Sequence, residues 1–230
     1  LIATQFASHH AREVFPCVDE PEAKAVFDLT IKAADGQEII SGTPISSSEV
    51  QQGNKIITFD TTPKMSTYLL AFVLGDLHKK STTTKDGVEV SVWATKAQTS
   101  ELFDFPLDIA VRVLEFYEEY FGVKFPLKKC DHVALPDFAS GAMENWGLIT
   151  YRESALLAGP KSALSSKRHV ALVIAHETAH QWFGNLVTMK WWDDLWLNES
   201  FATMMEYFSV DTIEPSWNIW QEFSVNEAIL

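Results

Sequence analysis

The sequence predicts a mainly β first part, residues 1–97, followed by an α+β second part, residues 98–230. Three observations carry this. Short apolar runs separated by polar turns fill the first part. A helical period sets in at Pro106 and returns twice further on. Between the first two helical stretches lie two strand-length runs, HVAL and GLITY, with a glycine-containing bend between them. The second part is therefore expected to hold a mixed or mainly antiparallel sheet with helices. A length of 230 residues suffices for a buried core and for two domains.

Taken in order, AVFDLTI (25–31) puts Phe27, Leu29 and Ile31 on one side of a strand. KIITFD (55–60), STYLLAFVLGDL (66–77) and GVEVSVWA (87–94) read as further strands. In the last, Val88, Val90 and Val92 alternate as a half-buried strand requires. ADGQ (34–37) and KDG (85–87) read as hairpin turns, and Asp19-Glu20-Pro21 as a simple turn. From Pro106 a helix runs to Gly122, with Leu107, Ala110, Val113, Leu114 and Tyr117 on its buried face. Ser165 or Ser166 is the expected cap of a second helix carrying His169 to Phe183. A tryptophan-rich connection leads to a last helix from about Glu199.

Composition narrows the partners. Apolar residues make up 47% of the chain and the formal net charge is -13, which argues against nucleic acid and anionic membrane. No apolar run approaches the roughly 18 residues of a membrane span. Cys17 and Cys130 fit no metal-ligand spacing and are expected as reduced thiols. The chain opens on LIATQF without Met or a charged leader, so the expectation is a piece of a longer, cytoplasmic protein. Nothing in the sequence sets an oligomeric state.

HETAH (176–180) carries the chemistry. Residues four apart on a helix lie one above the other, so His176 and His180 can aim at one point. Glu177 flanks that point. Two histidine ligands and a glutamate base form a zinc-hydrolase arrangement, which needs a third protein ligand. Asp193, Asp194 and Glu199 are candidates, and Glu199 is best placed, on the first turn of another helix. The competing reading is a pair of structural histidines. Against it, three unpaired polar groups within the apolar run of Val170, Leu172, Val173, Ile174 and Phe183 would be costly. With the metal, Glu177 acts as general base on the activated water and then as acid to the leaving amine, which is amide hydrolysis.

HETAHQWFGNLVTMKWWDDLWLNESFA (176–202) together with GAMENWG (141–147) resembles the M1, or aminopeptidase N, family of gluzincin zinc peptidases, nearest to its lactic-acid bacterial members. The family pattern is HExxH, eighteen residues, then Glu, met by His176, Glu177, His180 and Glu199. AREVFPCVDEPEAKAVFDLTI (11–31) is similar to the end of the family's N-terminal β domain. The resemblance implies a thermolysin-like catalytic domain, one zinc ion per chain, and peptide substrates with a free N-terminus. It implies that Gly141, Ala142, Met143, Glu144 and Asn145 line the cleft as an extended edge, with Glu144 holding the substrate's α-amine. It places Gln5 at the first subsite. Asn198 reads most simply as a helix cap; Glu206 is either a partner for a ligating histidine or a solvent-facing acid. Trp182, Trp191, Trp192 and Trp196 are expected to pack. His9, His10, His78, His132 and His169 have no ligand spacing.

The chain departs from the family pattern. Ala7 stands where the family has a second carboxylate for the amine, and Ala7→Glu is expected to raise kcat/KM about ten- to a hundredfold. Thr178 stands where Leu is usual, and its hydroxyl is expected to bond the preceding turn. The resemblance implies an oxyanion-steadying tyrosine well downstream of Glu199, which Tyr207 is too close to match, and a C-terminal helical domain that is expected to be missing from this piece. An aminopeptidase-like fragment impaired in catalysis, serving as a zinc-binding or structural module, is the alternative. A zinc endopeptidase is disfavoured by Glu144, which has no amine to neutralise in such an enzyme.

Overall fold

Strand-forming residues of the first 95 positions divide between three sheets in a computed structural model that describes residues 1–226. The strands are β1 (Ile2–Ala3), β2 (Thr30–Ala34), β3 (Glu38–Ser41), β4 (Ile45–Gln51), β5 (Asn54–Phe59), β6 (Phe72–Gly75), β7 (Leu77–Thr83) and β8 (Glu89–Thr95). Helix α1 (Asp104–Phe121) follows, then β9 (Lys129–Leu135), β10 (Ala142–Met143) and β11 (Leu148–Arg152). The remainder is helical: α2 (Glu153–Leu156), α3 (Leu164–Ala179), α4 (Trp196–Ile213) and α5 (Ile219–Asn226). Residues 227–230 lie outside the described residues.

Two three-stranded antiparallel sheets, ordered β1-β6-β3 and β2-β5-β4, make up most of the first part. The third sheet, ordered β10-β11-β9-β8-β7, is mixed. Its β8, β9 and β11 run parallel, while β7 and β10 are antiparallel edges. This sheet joins strands from both sides of position 97. The mainly β start and α+β continuation are those the sequence predicts.

Several local expectations need correction. The ADGQ turn is not a hairpin: β2 pairs with β5 and β3 with β6, so the turn passes the chain between sheets. Residues 25–29 hold only scattered bonds, such as Ala25 with Met65, and the ladder begins at Thr30. Phe27, Leu29 and Ile31 are nonetheless half-buried while Asp28 and Thr30 are exposed. STYLLAFVLGDL is three pieces: a 3-10 turn at Thr67–Leu69, then β6, then the start of β7 in another sheet. β8 is buried on both faces, with Val90, Ser91 and Val92 inaccessible, because β7 and β9 flank it and α1 packs on the sheet. The turn expected at Asp19-Glu20-Pro21 lies at residues 20–22, and Asp19 before it is a buried carboxylate. It accepts from the Arg12 backbone and guanidinium and, at 2.5 Å, from the Thr67 hydroxyl.

The helices keep their predicted faces and shift their ends. Leu107, Ala110, Val113, Leu114 and Tyr117 are all buried, and Gly122 closes α1 in the left-handed conformation at φ 65°. α1 starts at Asp104, so Pro106 is its third residue. α3 starts at Leu164 after Ala163 without a side-chain cap, which puts Ser165 and Ser166 inside its first turn. It ends at Ala179, short of Phe183, and α4 starts at Trp196, earlier than Glu199. Trp182 and Trp192 pack, but Trp191 and Trp196 are exposed. Cys17 and Cys130 are both unpaired.

Candidate functional site

α3 carries His176, and His180 follows one turn on as the residue that closes the helix, both against α4. The buried Tyr117 of α1 braces the pair, its hydroxyl lying 3.0 Å from both the Ala175 carbonyl and the Ser209 hydroxyl. Thr178 returns its hydroxyl to the Ile174 carbonyl at 2.7 Å, so the helix tolerates it. On α4, Glu199 and Glu206 are two turns apart and both face α3. The Nε2 atoms of His176 and His180 are 2.9 Å apart, and Glu199 Oε2 lies 3.3 and 3.5 Å from them. Asp193 and Asp194 do not join this cluster.

The outer ring nitrogens explain the convergence. His176 Nδ1 meets Glu206 Oε2 at 2.7 Å; His180 Nδ1 meets Asn198 Oδ1 at 2.7 Å and the Phe183 carbonyl at 3.0 Å. Those partners are acceptors, so each Nδ1 carries the proton and donates it. Both Nε2 atoms then present lone pairs toward a carboxylate oxygen. Neutral imidazoles would set three lone-pair donors against one another, so the place needs a metal cation or, without one, a second proton on the imidazoles. Tetrahedral zinc with bonds of about 2.0–2.1 Å sets its ligand atoms about 3.3 Å apart, close to the separations seen. The residues therefore fit a metal ion.

Asn198 is thus not a cap: it lies inside α4, with its amide also donating to Glu144 Oε1 at 3.2 Å. Gly184 permits this approach. It has φ 122°, and a Cβ there would stand 2.2 Å from Asn198 Oδ1. Glu206 is the histidine partner, not a solvent-facing acid.

Glu144, Glu177 and His180 form a second buried group, with ligand atoms within 4.8 Å of one another. The main chain of Glu144 is clamped: its carbonyl accepts from Gln181 Nε2 at 3.1 Å and Asn185 Nδ2 at 2.9 Å. Sequence reasoning passed over both residues, although a glutamine directly after HETAH in an apolar setting was a signal. β10 forms the edge of the mixed sheet, with Ala142 opposite Tyr151 and Met143 opposite Thr150. Gly141 and Ala142 line a cavity of about 380 Å³ with His176, Glu177 and Glu206. Met143 belongs to the core, and Asn145 is buried, donating to the Thr150 hydroxyl at 3.1 Å. Gln5 lines a separate cavity with Leu135 and Asp137 to Ser140.

Charges follow the geometry. Burial pushes the Glu177 carboxyl up to about 7; His176 and His180 oppose this, and Glu144 and Glu199 add to it. Burial opposes charge on His180, yet Glu144 and the bond to Glu199 carry it up to about 9. His176 is raised too: burial opposes this, but Glu199 and Glu206 outweigh it. Hydrogen bonds to both histidines hold Glu199 well below the usual carboxylate range. Four carboxylates around two imidazoles leave an excess of negative charge that a divalent cation neutralises.

Comparison with known proteins agrees with this geometry. The Peptidase family M1 domain matches residues 105–229, and the Peptidase M1 N-terminal domain matches residues 1–69. Aminopeptidase N of Lactococcus lactis subsp. lactis is 63% identical over 226 residues, covering 97% of this chain and 27% of the relative. Aminopeptidase N of Lactobacillus helveticus is 55% identical over 99% of this chain and 27% of its own length. The puromycin-sensitive aminopeptidase of Caenorhabditis elegans is 49% identical over 99% of this chain and 24% of its own. The chain thus spans about a quarter of the length of the curated relatives it matches, and it belongs to peptidase family M1.

Proposed function

We propose that the protein is a zinc aminopeptidase that hydrolyses the N-terminal peptide bond of peptides. The observation that carries this is the meeting of two imidazole lone pairs and the Glu199 carboxylate beside the buried Glu177. Two nitrogens and one oxygen suit zinc, one ion per chain, with a fourth position open. When bound, zinc would acidify a water molecule and polarise the scissile carbonyl. Glu177 takes a proton from the attacking water and delivers it to the leaving amine. Its Oε2 is buried without a hydrogen-bond partner, which fits an atom reserved for the reaction.

Glu144 holds the substrate's ammonium. The buried carboxylate offsets the desolvation of a terminal amine, and a mid-chain segment gains nothing there. The free edge of β10 offers Gly141 and Ala142 as backbone partners for an extended peptide, with Met143 and Asn145 fixing the strand from below. Gln5 shapes the first subsite from its neighbouring cavity. Two unpaired cysteines suit a reducing compartment, so the cytoplasm is the proposed location. Among the described residues no helix is long and apolar enough to cross a membrane.

The test is hydrolysis of a free aminoacyl anilide against its N-acetylated form by the zinc-loaded chain. Cleavage of the free form alone is expected. Equal cleavage of both would mean an endopeptidase-like site. Zinc at one per chain without cleavage of either would favour the impaired module, the reading to which Ala7 lends weight.

A further inference from the structure

Tyr68 is 2% exposed, and its hydroxyl has no hydrogen-bond partner. A buried phenol without a partner is uncommon and calls for a reason. Its position supplies one. Tyr68 sits on the 3-10 turn Thr67–Leu69, which is anchored on both sides. The Leu69 carbonyl accepts from the Trp146 backbone at 3.3 Å, which ties the turn to the segment following Glu144. The Tyr68 ring meets Trp192 edge-on at 5.1 Å, just before the helix that carries Glu199. The phenol is thus wedged between the elements bearing the two carboxylates. The same neighbours act on its ionisation: burial first, then the charges of Glu144 and Glu199, push it well above 10.0, so it stays protonated.

The oxygen makes a hydrogen bond to neither carboxylate. A guest that fills such a place must carry hydrogen-bond donors, because acidic neighbours repel an anion and offer nothing to an acceptor. An ammonium group has three N–H donors. Glu144 accounts for part of that capacity and leaves an N–H for another acceptor.

We propose that Tyr68 is a further substrate-contacting residue, whose hydroxyl oxygen accepts an N–H of the substrate's terminal ammonium beside Glu144. The proposal rests on the reading of Glu144 as the amine-binding carboxylate. It assigns part of the selectivity for a free N-terminus to the β part of the chain.

The experiment is calorimetric binding of L-leucinol and N-acetyl-L-leucinol to the zinc-loaded chain, unsubstituted and as Tyr68→Phe and Glu144→Gln. Removing an unpartnered hydroxyl should leave the melting temperature unchanged or raised, so Tyr68→Phe should fold. The expected result is about tenfold weaker binding of L-leucinol by Tyr68→Phe, with the acetylated probe and the zinc content unaffected. If Tyr68→Phe binds L-leucinol as tightly as the unsubstituted chain while Glu144→Gln does not, the Tyr68 assignment is overturned and the Glu144 reading stands. If Glu144→Gln has no effect, or the two probes bind the unsubstituted chain alike, both are overturned. Loss of zinc or a lower melting temperature in Tyr68→Phe would make the residue structural and also overturn the assignment.

Discussion

Asn198 and Glu206 decide which nitrogen of each imidazole carries its proton, and that choice leaves both Nε2 lone pairs available. Outer partners of this kind tune metal affinity by about ten- to a hundredfold. Glu206→Gln and Asn198→Ala should each weaken zinc binding by such a factor, measured by competition with a chromogenic chelator. Glu177→Gln should behave in the opposite way: zinc affinity holds while the rate falls by about two to four orders of magnitude, since only proton transfer is lost. Elemental analysis beside a steady-state assay separates the two classes. At this scale the spacing of HETAH and Glu199 was legible, because a helix turns sequence separation into direction. The role of Asn198 was not. It reads as a cap from its neighbours in sequence, and only the distant Gly184, lacking a side chain, lets it reach His180. Asp19 was hidden for the same reason, since Arg12 and Thr67 bury it from elsewhere in the chain.

Helices and strands differ in how much of themselves they expose to reading. α1 was legible because its whole apolar face is buried and Gly122 ends it. β4 was not: every residue of ISSSEVQ is exposed, so no alternation marks it, and only its ladder with β5 defines it. Strand partners were likewise hidden, as the ADGQ turn illustrates, because pairing is settled by contacts far apart in sequence. β9 carries a consequence for pH. His132 is 1% exposed, its Nδ1 2.8 Å from the Tyr151 hydroxyl, and burial lowers its pKa from 6.5 to about 4; Asp131 opposes the shift and Lys129 adds to it. An unfolded chain takes up this proton below about pH 6.5, whereas the folded chain resists until about pH 4. The unfolded state therefore binds more protons in that window. Stability should fall as pH drops through it and level off below, by about 3 kcal/mol from this group. His132→Leu should flatten that part of the profile. Melting temperatures of both chains between pH 7 and 4 give the comparison, and parallel curves would remove His132 as the cause.

Across the whole molecule, the candidate metal position is where separately built parts meet. His176 and His180 come from α3, Glu199 from α4, and the clamped Glu144 from the edge of the mixed sheet. Without a cation, burial of the Glu177 carboxyl opposes folding, while the histidines gain from their carboxylate partners. A divalent ion would add to this balance by offsetting the negative charge of the cluster and tying α3 to α4. Binding to the folded chain alone stabilises it by mass action, by about 2.7 kcal/mol at a free concentration one hundred times Kd. For a chain of this length that corresponds to a rise of roughly 5–11 °C in melting temperature. The rise should disappear with a chelator, and it should shrink in Glu199→Gln, which keeps both histidines but removes the charged donor that α4 supplies. Differential scanning calorimetry with zinc and with chelator tests this without relying on turnover. Equal melting temperatures under the two conditions would mean that the three donors do not hold the ion together.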